Sequence, residues 1–274
     1  MPLVHERIDV TIEDHIAQIK FARPEKMNAL DAKMFEAIAM VGELLEADSS
    51  IRAVVVSGSG GNFCSGLDKS NFEGLLQQKG VSVDGGEKPT RLAERTHGIA
   101  NLVQHVVWMW RELPVPVIAA IDGVALGGGL QICLGADIRV AAPDSRFSIL
   151  EMKWGIIPDM SSSQIMRHLI RDDVIRELTY TARLFSAEEA KQWGFITHIS
   201  DDPLKHALTL AENIVDKNPD AIRAAKRVIE QSYHQTPAQG LLAESVEQDK
   251  IMGTANQIEA VMAALQKRKP QFSN

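Results

Sequence analysis

The sequence has few cysteines, no long apolar run and no excess of basic charge. Cys64 and Cys133 are the only cysteines in 274 residues, which excludes a disulfide framework and is typical of a reducing compartment. No apolar run reaches the ~18 residues of a membrane-spanning helix, and the residues after Met1 lack the order of a secretion signal. The net charge of −7 provides no general attraction to nucleic acid. We therefore expect a cytoplasmic protein without a nucleic-acid or membrane partner.

The chain contains strand and helix patterns that alternate, followed by helix patterns alone. Alternating apolar and polar residues predict a hairpin over Ile8–Phe21, and Asp31 is placed to cap a helix. Short buried strands are predicted over Ala53–Ser57 and Val115–Asp122. Helical spacing predicts a helix over Arg91–Leu113.

The rest of the chain divides by composition. Gln77–Pro89 is polar and glycine-rich, which indicates a mobile loop. Successive helix patterns follow one another from Pro203 onward. We expect an α/β core over residues 1–202 and an α-helical portion over residues 203–274.

Several common active-site motifs are missing. The glycines at 127–129 lack the spacing of a dinucleotide fingerprint, and the chain has neither a phosphate loop nor a nucleophile elbow. The eight histidines form no metal-ligand pattern, so we expect no metal.

Two glycine-containing segments, Phe63–Asp68 and Ala125–Gln131, each follow a buried strand and precede a helical pattern. Unpaired N–H groups at such turns favour negative charge, and two of them could stabilise one oxyanion. Tight packing of strand against helix explains the glycines equally well. The residues alone leave both interpretations open.

Five segments in this order resemble the crotonase family, the enoyl-CoA hydratases and isomerases. They are Arg23–Leu30, Phe63–Asp68, Val117–Gly129, Ala136–Val140 and Ser186–Gly194. The resemblance spans nearly the whole chain. It implies a spiral of β-β-α units whose C-terminal helices build trimers, often paired into hexamers. It also implies an acyl-CoA substrate and no separate cofactor, since CoA is part of that substrate.

The resemblance assigns roles to residues. Leu67 and Gly128 would donate the two N–H groups of an oxyanion hole. The hydratases of the family carry two glutamates, and here Gln131 and Glu151 stand in those positions. A glutamine cannot exchange a proton at neutral pH. Asp159 resembles an aspartate of the dienoyl-CoA isomerases.

Each of these acid–base candidates also has a structural alternative. Asp159 could cap a helix over residues 160–170, Glu151 could form a surface salt bridge, and Gln131 could be a polar residue without a specific role.

The resemblance also implies a CoA-binding set. Arg23 and Lys26 would meet the CoA phosphates, although two solvated charges would fit the pattern as well. The remaining predicted substrate contacts are Ala29, Ser65, Asp68 and Lys69.

The favoured function is isomerisation of an enoyl-CoA double bond. Hydration of an enoyl-CoA is the first alternative. The second is a catalytically weak protein that binds CoA esters, because one family glutamate is missing.

Overall fold

The computed structural model describes residues 3–70 and 91–274. The loop expected over residues 77–89 lies outside this range. Within it, no helix is both long and apolar enough to cross a membrane.

Two β-sheets form the core of the described chain. Their strands are β1 Ile8–Glu13, β2 Ile16–Phe21, β3 Ala53–Gly58, β4 Val117–Ile121, β5 Val124–Leu126, β6 Ile138–Ala141, β7 Arg146–Ser148, β8 Phe185–Ser186 and β9 His198–Ile199. The larger sheet has the order β1-β2-β3-β4-β6-β9, and all its pairs are parallel except the β1–β2 hairpin. The smaller sheet has the order β5-β7-β8, with β5 and β7 parallel.

Helices cover both sheets and then continue alone. The helices described are α1 Ala32–Ala47, α2 Leu102–Glu112, α3 Gly128–Gly135, α4 Ser162–Leu169, α5 Asp172–Thr181, α6 Ala187–Trp193, α7 Pro203–Val215, α8 Pro219–Ser232, α9 Pro237–Ile251 and α10 Ala255–Gln266. Single 3₁₀ turns lie at Pro24–Lys26 and Glu151–Trp154. The mixed α/β class and the helical C-terminal portion are confirmed.

The larger sheet is buried on both faces. One face lies in the main apolar core together with α1, α2 and α3. On the other face, Ala207 and Ala211 of α7 pack against Val55, Ile118 and Val140. Burial on both faces explains why β3 and β4 are continuous apolar runs in the sequence. The division of the chain at residue 202 stays a prediction.

The expected hairpin and the first helix cap are confirmed. Strands β1 and β2 pair in antiparallel register, with Glu13 opposite Ile16. Asp31 caps α1 by accepting a 2.9 Å hydrogen bond from the backbone N–H of Met34.

The helix predicted over Arg91–Leu113 is wrong in its first half. α2 begins only at Leu102, where Asn101 and Gln104 form a reciprocal capping box, and Leu92 and Ile99 are exposed. Gly98 adopts a positive φ of 60° just before it. The cap and the left-handed glycine stop a helical pattern that apolar spacing alone would extend.

Candidate active site

The two glycine-containing segments lie side by side. Cys64 pairs with Ala125: its N–H donates to the carbonyl of Val124 at 3.0 Å, and its own carbonyl accepts from Leu126 at 3.0 Å. A Cβ atom built on Gly66 would lie 3.4 Å from the backbone nitrogen of Gly128. The pairing of Cys64 with Ala125 therefore brings the segments that hold Leu67 and Gly128 to one place.

The N–H of Leu67 points away from its neighbouring chain segment. The carbonyl of Gly66 accepts a 2.8 Å hydrogen bond from Leu30, and the next N–H, that of Asp68, donates to Leu30 at 2.9 Å. In a trans peptide the C=O and N–H point in opposite directions. The Leu67 N–H is thus directed away from Leu30, and no described residue accepts its hydrogen bond.

The N–H of Gly128 points out of the N-terminus of α3. The carbonyl of Gly127, in the same peptide group, accepts the first helical hydrogen bond from Gln131 at 3.0 Å. The opposite end of that peptide therefore leaves the helix, where the helix dipole favours negative charge. Among the described residues, this N–H has no acceptor either.

Packing accounts for much of the triple glycine. Gly127 has a positive φ of 51°, and a Cβ on Gly129 would lie 2.2 Å from the carbonyl oxygen of Cys64. A Cβ on Gly128 would lie 2.8 Å from both Leu30 Cδ1 and Met160 Sδ, which are ends of flexible side chains. Of the three, Gly128 alone has neither a positive φ nor a backbone atom in the way of a Cβ.

A cavity of about 360 Å³ opens between these segments. Most of the predicted site residues line it: Lys26, Ala29, Ser65, Leu67, Asp68, Lys69, Gly128 and Glu151. The sequence interpretation missed an apolar contribution to the wall, which comes from Met27, Leu126, Leu150, Trp154 and Ile156. The exposed Trp154, three residues after Glu151, is the clearest sequence signal for that wall. Arg23, Gln131 and Asp159 do not line the cavity.

Glu151 is a buried carboxylate at the start of a 3₁₀ turn. It is only 6% exposed, so the surface salt bridge considered above is wrong. Burial raises the pKa of Glu151, and the charge of Asp159 raises it further, while a hydrogen bond from Gln131 lowers it. Its Oε2 atom is buried and has no hydrogen-bond partner in the described chain. A buried carboxyl group with a raised pKa is a candidate for proton transfer.

Gln131 holds the other oxygen of that carboxyl group. Its Nε2 donates to Glu151 Oε1 at 2.6 Å, and its Oε1 accepts from the backbone N–H of Met160 at 2.8 Å. Because a backbone N–H can only donate, Met160 fixes which end of the amide meets Glu151. Gln131 therefore has specific contacts at both ends of its amide, unlike a polar residue without a role.

Asp159 lies in a second cavity, of about 300 Å³, with Arg95, Gln104 and Trp108. Burial raises its pKa, and a hydrogen bond from its own backbone N–H acts in the opposite direction. The helix-cap alternative is wrong because α4 begins at Ser162, after Ser161 in a left-handed conformation.

Arg23 has internal partners. Its Nη1 donates to Asp68 Oδ2 at 2.5 Å and to the carbonyl of Ala29 at 3.0 Å, and its side chain is 13% exposed. The structure thus turns this guanidinium inward, toward Asp68 and the carbonyl of Ala29, and its expected contact with a CoA phosphate stays a prediction. Lys26 and Lys69 are exposed at the cavity and have no ion-pair partner among the described residues.

Comparisons with known proteins identify the family of this chain. The family described as enoyl-CoA hydratase/isomerase matches residues 11–274. The mitochondrial methylglutaconyl-CoA hydratase of Mus musculus is 31% identical over 89% of this chain and 75% of its own length. The mitochondrial Δ(3,5)-Δ(2,4)-dienoyl-CoA isomerase of the same species is 30% identical over 96% of this chain and 81% of its own.

A solved structure supports the same assignment. The enoyl-CoA hydratase of Bacillus anthracis is 28% identical and superposes with a TM-score of 0.83, covering 97% of this chain and 98% of its own. Match length, identity and fold all agree. The chain belongs to the enoyl-CoA hydratase/isomerase family, the crotonase family.

Proposed function

We propose that this protein isomerises the double bond of an enoyl-CoA thioester. One observation carries the proposal: Glu151 is, among the described residues, the one buried carboxyl group of the cavity without an ion-pair partner, and the same cavity holds the N–H groups of Leu67 and Gly128, whereas the buried Asp68 is paired with Arg23. Its Oε2 atom has no hydrogen-bond partner in the described chain. This arrangement suits a reaction that moves one proton and adds no water.

The reaction has two proton transfers. Glu151 takes a proton from the carbon next to the thioester, and the electron pair of that C–H bond becomes delocalised onto the thioester oxygen. The N–H groups of Leu67 and Gly128 stabilise the negative charge on this oxygen. The protonated Glu151 then returns the proton two carbons further along the chain, so the double bond shifts and no atom is gained or lost.

Gln131 is the reason to prefer isomerisation to hydration. Hydration needs a group that deprotonates water as well as one that protonates carbon. An amide does neither, and both ends of this amide are engaged, by Glu151 and Met160. Gln131 instead orients Glu151, leaving one carboxyl group to act alone.

Asp159 is a second acid–base candidate within the same proposal. Its raised pKa and its influence on the pKa of Glu151 favour a part in proton transfer. It lines the neighbouring cavity, so it would act at a distance from the thioester.

Hydration stays the second candidate function, because the mouse methylglutaconyl-CoA hydratase is 31% identical to this protein over 89% of this chain. A protein that binds CoA esters without turning them over is the third. Any turnover of an enoyl-CoA excludes this third function.

CoA binding and assembly complete the proposal. We infer that Lys26 and Lys69, which are exposed at the cavity and have no ion-pair partner among the described residues, meet the CoA phosphates. The exposed apolar residues of the C-terminal helices favour a trimer or a hexamer. We place this assembly in the cytoplasm, where a protein with two free cysteines stays reduced.

Product analysis tests the proposed function. The purified protein is incubated with a panel of 2-enoyl and 3-enoyl CoA esters, and the products are separated and weighed by mass spectrometry. Isomerisation gives a new species of unchanged mass. A gain of one water with no positional isomer would show hydration instead.

A further inference from the structure

The inward-facing guanidinium of Arg23 begins a chain of hydrogen bonds that ends at the oxyanion hole. Its Nη1 donates to the carbonyl of Ala29 at 3.0 Å. The N–H of that same peptide group, on Leu30, donates to the carbonyl of Gly66 at 2.8 Å. The N–H of the next peptide group is that of Leu67, which has no acceptor among the described residues.

The dipoles of the two peptide groups in this series of hydrogen bonds are aligned. The positive guanidinium meets the negative end of the Ala29–Leu30 peptide, whose positive end meets the negative end of the Gly66–Leu67 peptide. Hydrogen bonds connected in this way strengthen one another, by about 10–30% per bond. The hydrogen bond from the ion-paired guanidinium of Arg23 therefore polarises both peptide groups and makes the Leu67 N–H a better donor to an oxyanion.

Asp68 holds Arg23 in this place. The ion pair is 2.5 Å long, and the side chain of Asp68 is 9% exposed. Asp68 is also the residue after Leu67, and its own N–H donates to Leu30 at 2.9 Å. Residues 29–30 and 66–68 are therefore joined by contacts at Gly66 and at Asp68, the two residues that flank Leu67.

We propose that Arg23 is a positioning residue of the oxyanion hole, acting through the peptide groups of Ala29–Leu30 and Gly66–Leu67, with Asp68 as its anchor. This inference rests on the proposed function, since it takes the Leu67 N–H as an oxyanion donor. It is an alternative to the expected role of Arg23 as a ligand of a CoA phosphate.

The test separates catalysis from CoA binding. Arg23→Gln keeps a hydrogen-bond donor and removes the charge. We expect kcat to fall ~10-fold or more, since complete loss of one oxyanion donor costs ~10²–10³. KM and the Kd for free CoA should stay unchanged. Arg23→Lys, which keeps the charge, should recover part of kcat.

A spectroscopic measurement tests the polarising effect directly. Butyryl-CoA labelled with ¹³C at the thioester carbonyl has no double bond to shift, so its bound carbonyl stretch can be measured by difference infrared spectroscopy. The stretch should be lowered on the wild-type protein and return toward its solution frequency on Arg23→Gln. Arg171→Gln serves as the control, since Arg171 forms an exposed pair with Asp173, and it should change neither kcat nor the stretch.

The contrary results are distinct from one another. A higher Kd for CoA with unchanged kcat and stretch would show that Arg23 binds CoA, and would overturn the inference. If Arg23→Gln does not fold, Asp68→Asn provides the same readouts, and an unchanged stretch there would also overturn it. Failure of the proposed function would show differently, as a wild-type protein that lowers the carbonyl stretch but shifts no double bond.

Discussion

Gln131 and Glu151 meet through a 2.6 Å hydrogen bond in which Nε2 of the amide donates to Oε1 of the carboxyl group. Both residues are buried, at 2% and 6% exposure. The bond favours the ionised form of Glu151, whereas burial favours the protonated form. Burial is the larger of the two effects, so the pKa of Glu151 remains raised.

Replacing Glu151 should separate activity from stability. In Glu151→Gln the base is lost, and turnover should fall about 10²–10⁴-fold. Because folding raises the pKa of Glu151, ionisation of this carboxyl group reduces the stability of the wild-type protein as the pH rises through that raised pKa. The variant should therefore melt at the same or a higher temperature near neutral pH. Kinetics and thermal melts measure both effects.

The control for this substitution is Glu188→Gln, at an exposed position of α6. It should leave the rate unchanged. A Glu151→Gln variant that turns over at near-normal rate would exclude Glu151 as the proton-transfer residue.

The pH profile should respond in opposite directions to the two neighbours of Glu151. A base must be ionised, so the rate should rise as the pH increases through its pKa. Gln131→Met removes a hydrogen bond that lowers this pKa, and the acid limb should shift to higher pH. Asp159→Asn removes a charge that raises it, and the acid limb should shift to lower pH.

The profile of kcat against pH for the three proteins checks both shifts. Shifts in the same direction, or an acid limb that neither substitution moves, would mean that another group controls the rate. Loss of turnover in Asp159→Asn at every pH would instead support a direct part for Asp159 in proton transfer.

Two neighbouring glycines should respond differently to alanine. In Gly128→Ala the new Cβ meets only the side-chain ends of Leu30 and Met160, so the protein should fold. Turnover should still fall by orders of magnitude, because the Cβ crowds the approach to the Gly128 N–H. The larger Gly128→Val should also remain folded and lose turnover. Circular dichroism and kinetics test this pair of expectations.

Gly129→Ala is the contrasting variant. Its Cβ would lie 2.2 Å from the backbone oxygen of Cys64, so it should destabilise the fold itself. A folded Gly128→Ala protein with a near-normal rate would contradict the oxyanion assignment of Gly128.

The C-terminal helices should assemble the protein. Met252, Ile258, Val261, Met262 and Leu265 are between 43% and 76% exposed in the single chain. Burial of this surface should produce a trimer or hexamer. Light scattering at micromolar concentration should detect it, and Val261→Glu should weaken it. A wild-type monomer would contradict this prediction.

The sequence predicted those features that depend on local patterns. The Asp31 cap and the alternation of the β1–β2 hairpin are encoded within a few residues, and both are confirmed. The start of α2 was misplaced because helical spacing before Asn101 resembles a continuation of the helix. Apolar spacing cannot show where a capping box begins a helix.

The contacts of the site depend on residues far apart in the chain. Gln131, Glu151 and Met160 come together only through the packing of α3 against the segments that follow β7. The pairing of Arg23 with Asp68 joins residues 45 positions apart. The family motifs mark these positions, but neither spacing nor composition shows that Arg23 turns inward.

The most direct test of the central claim measures where solvent deuterium enters the product. A 3-enoyl-CoA is incubated in deuterium oxide with wild-type protein and with Glu151→Gln, and the products are examined by mass spectrometry and NMR. The wild-type protein should give the 2-enoyl-CoA without a gain of water. Any deuterium should be located at C2, the carbon next to the thioester carbonyl, and at C4, two carbons further along the acyl chain. Glu151→Gln should give almost none. A wild-type protein that leaves the 3-enoyl-CoA unchanged but adds one water to the matching 2-enoyl-CoA would contradict the account.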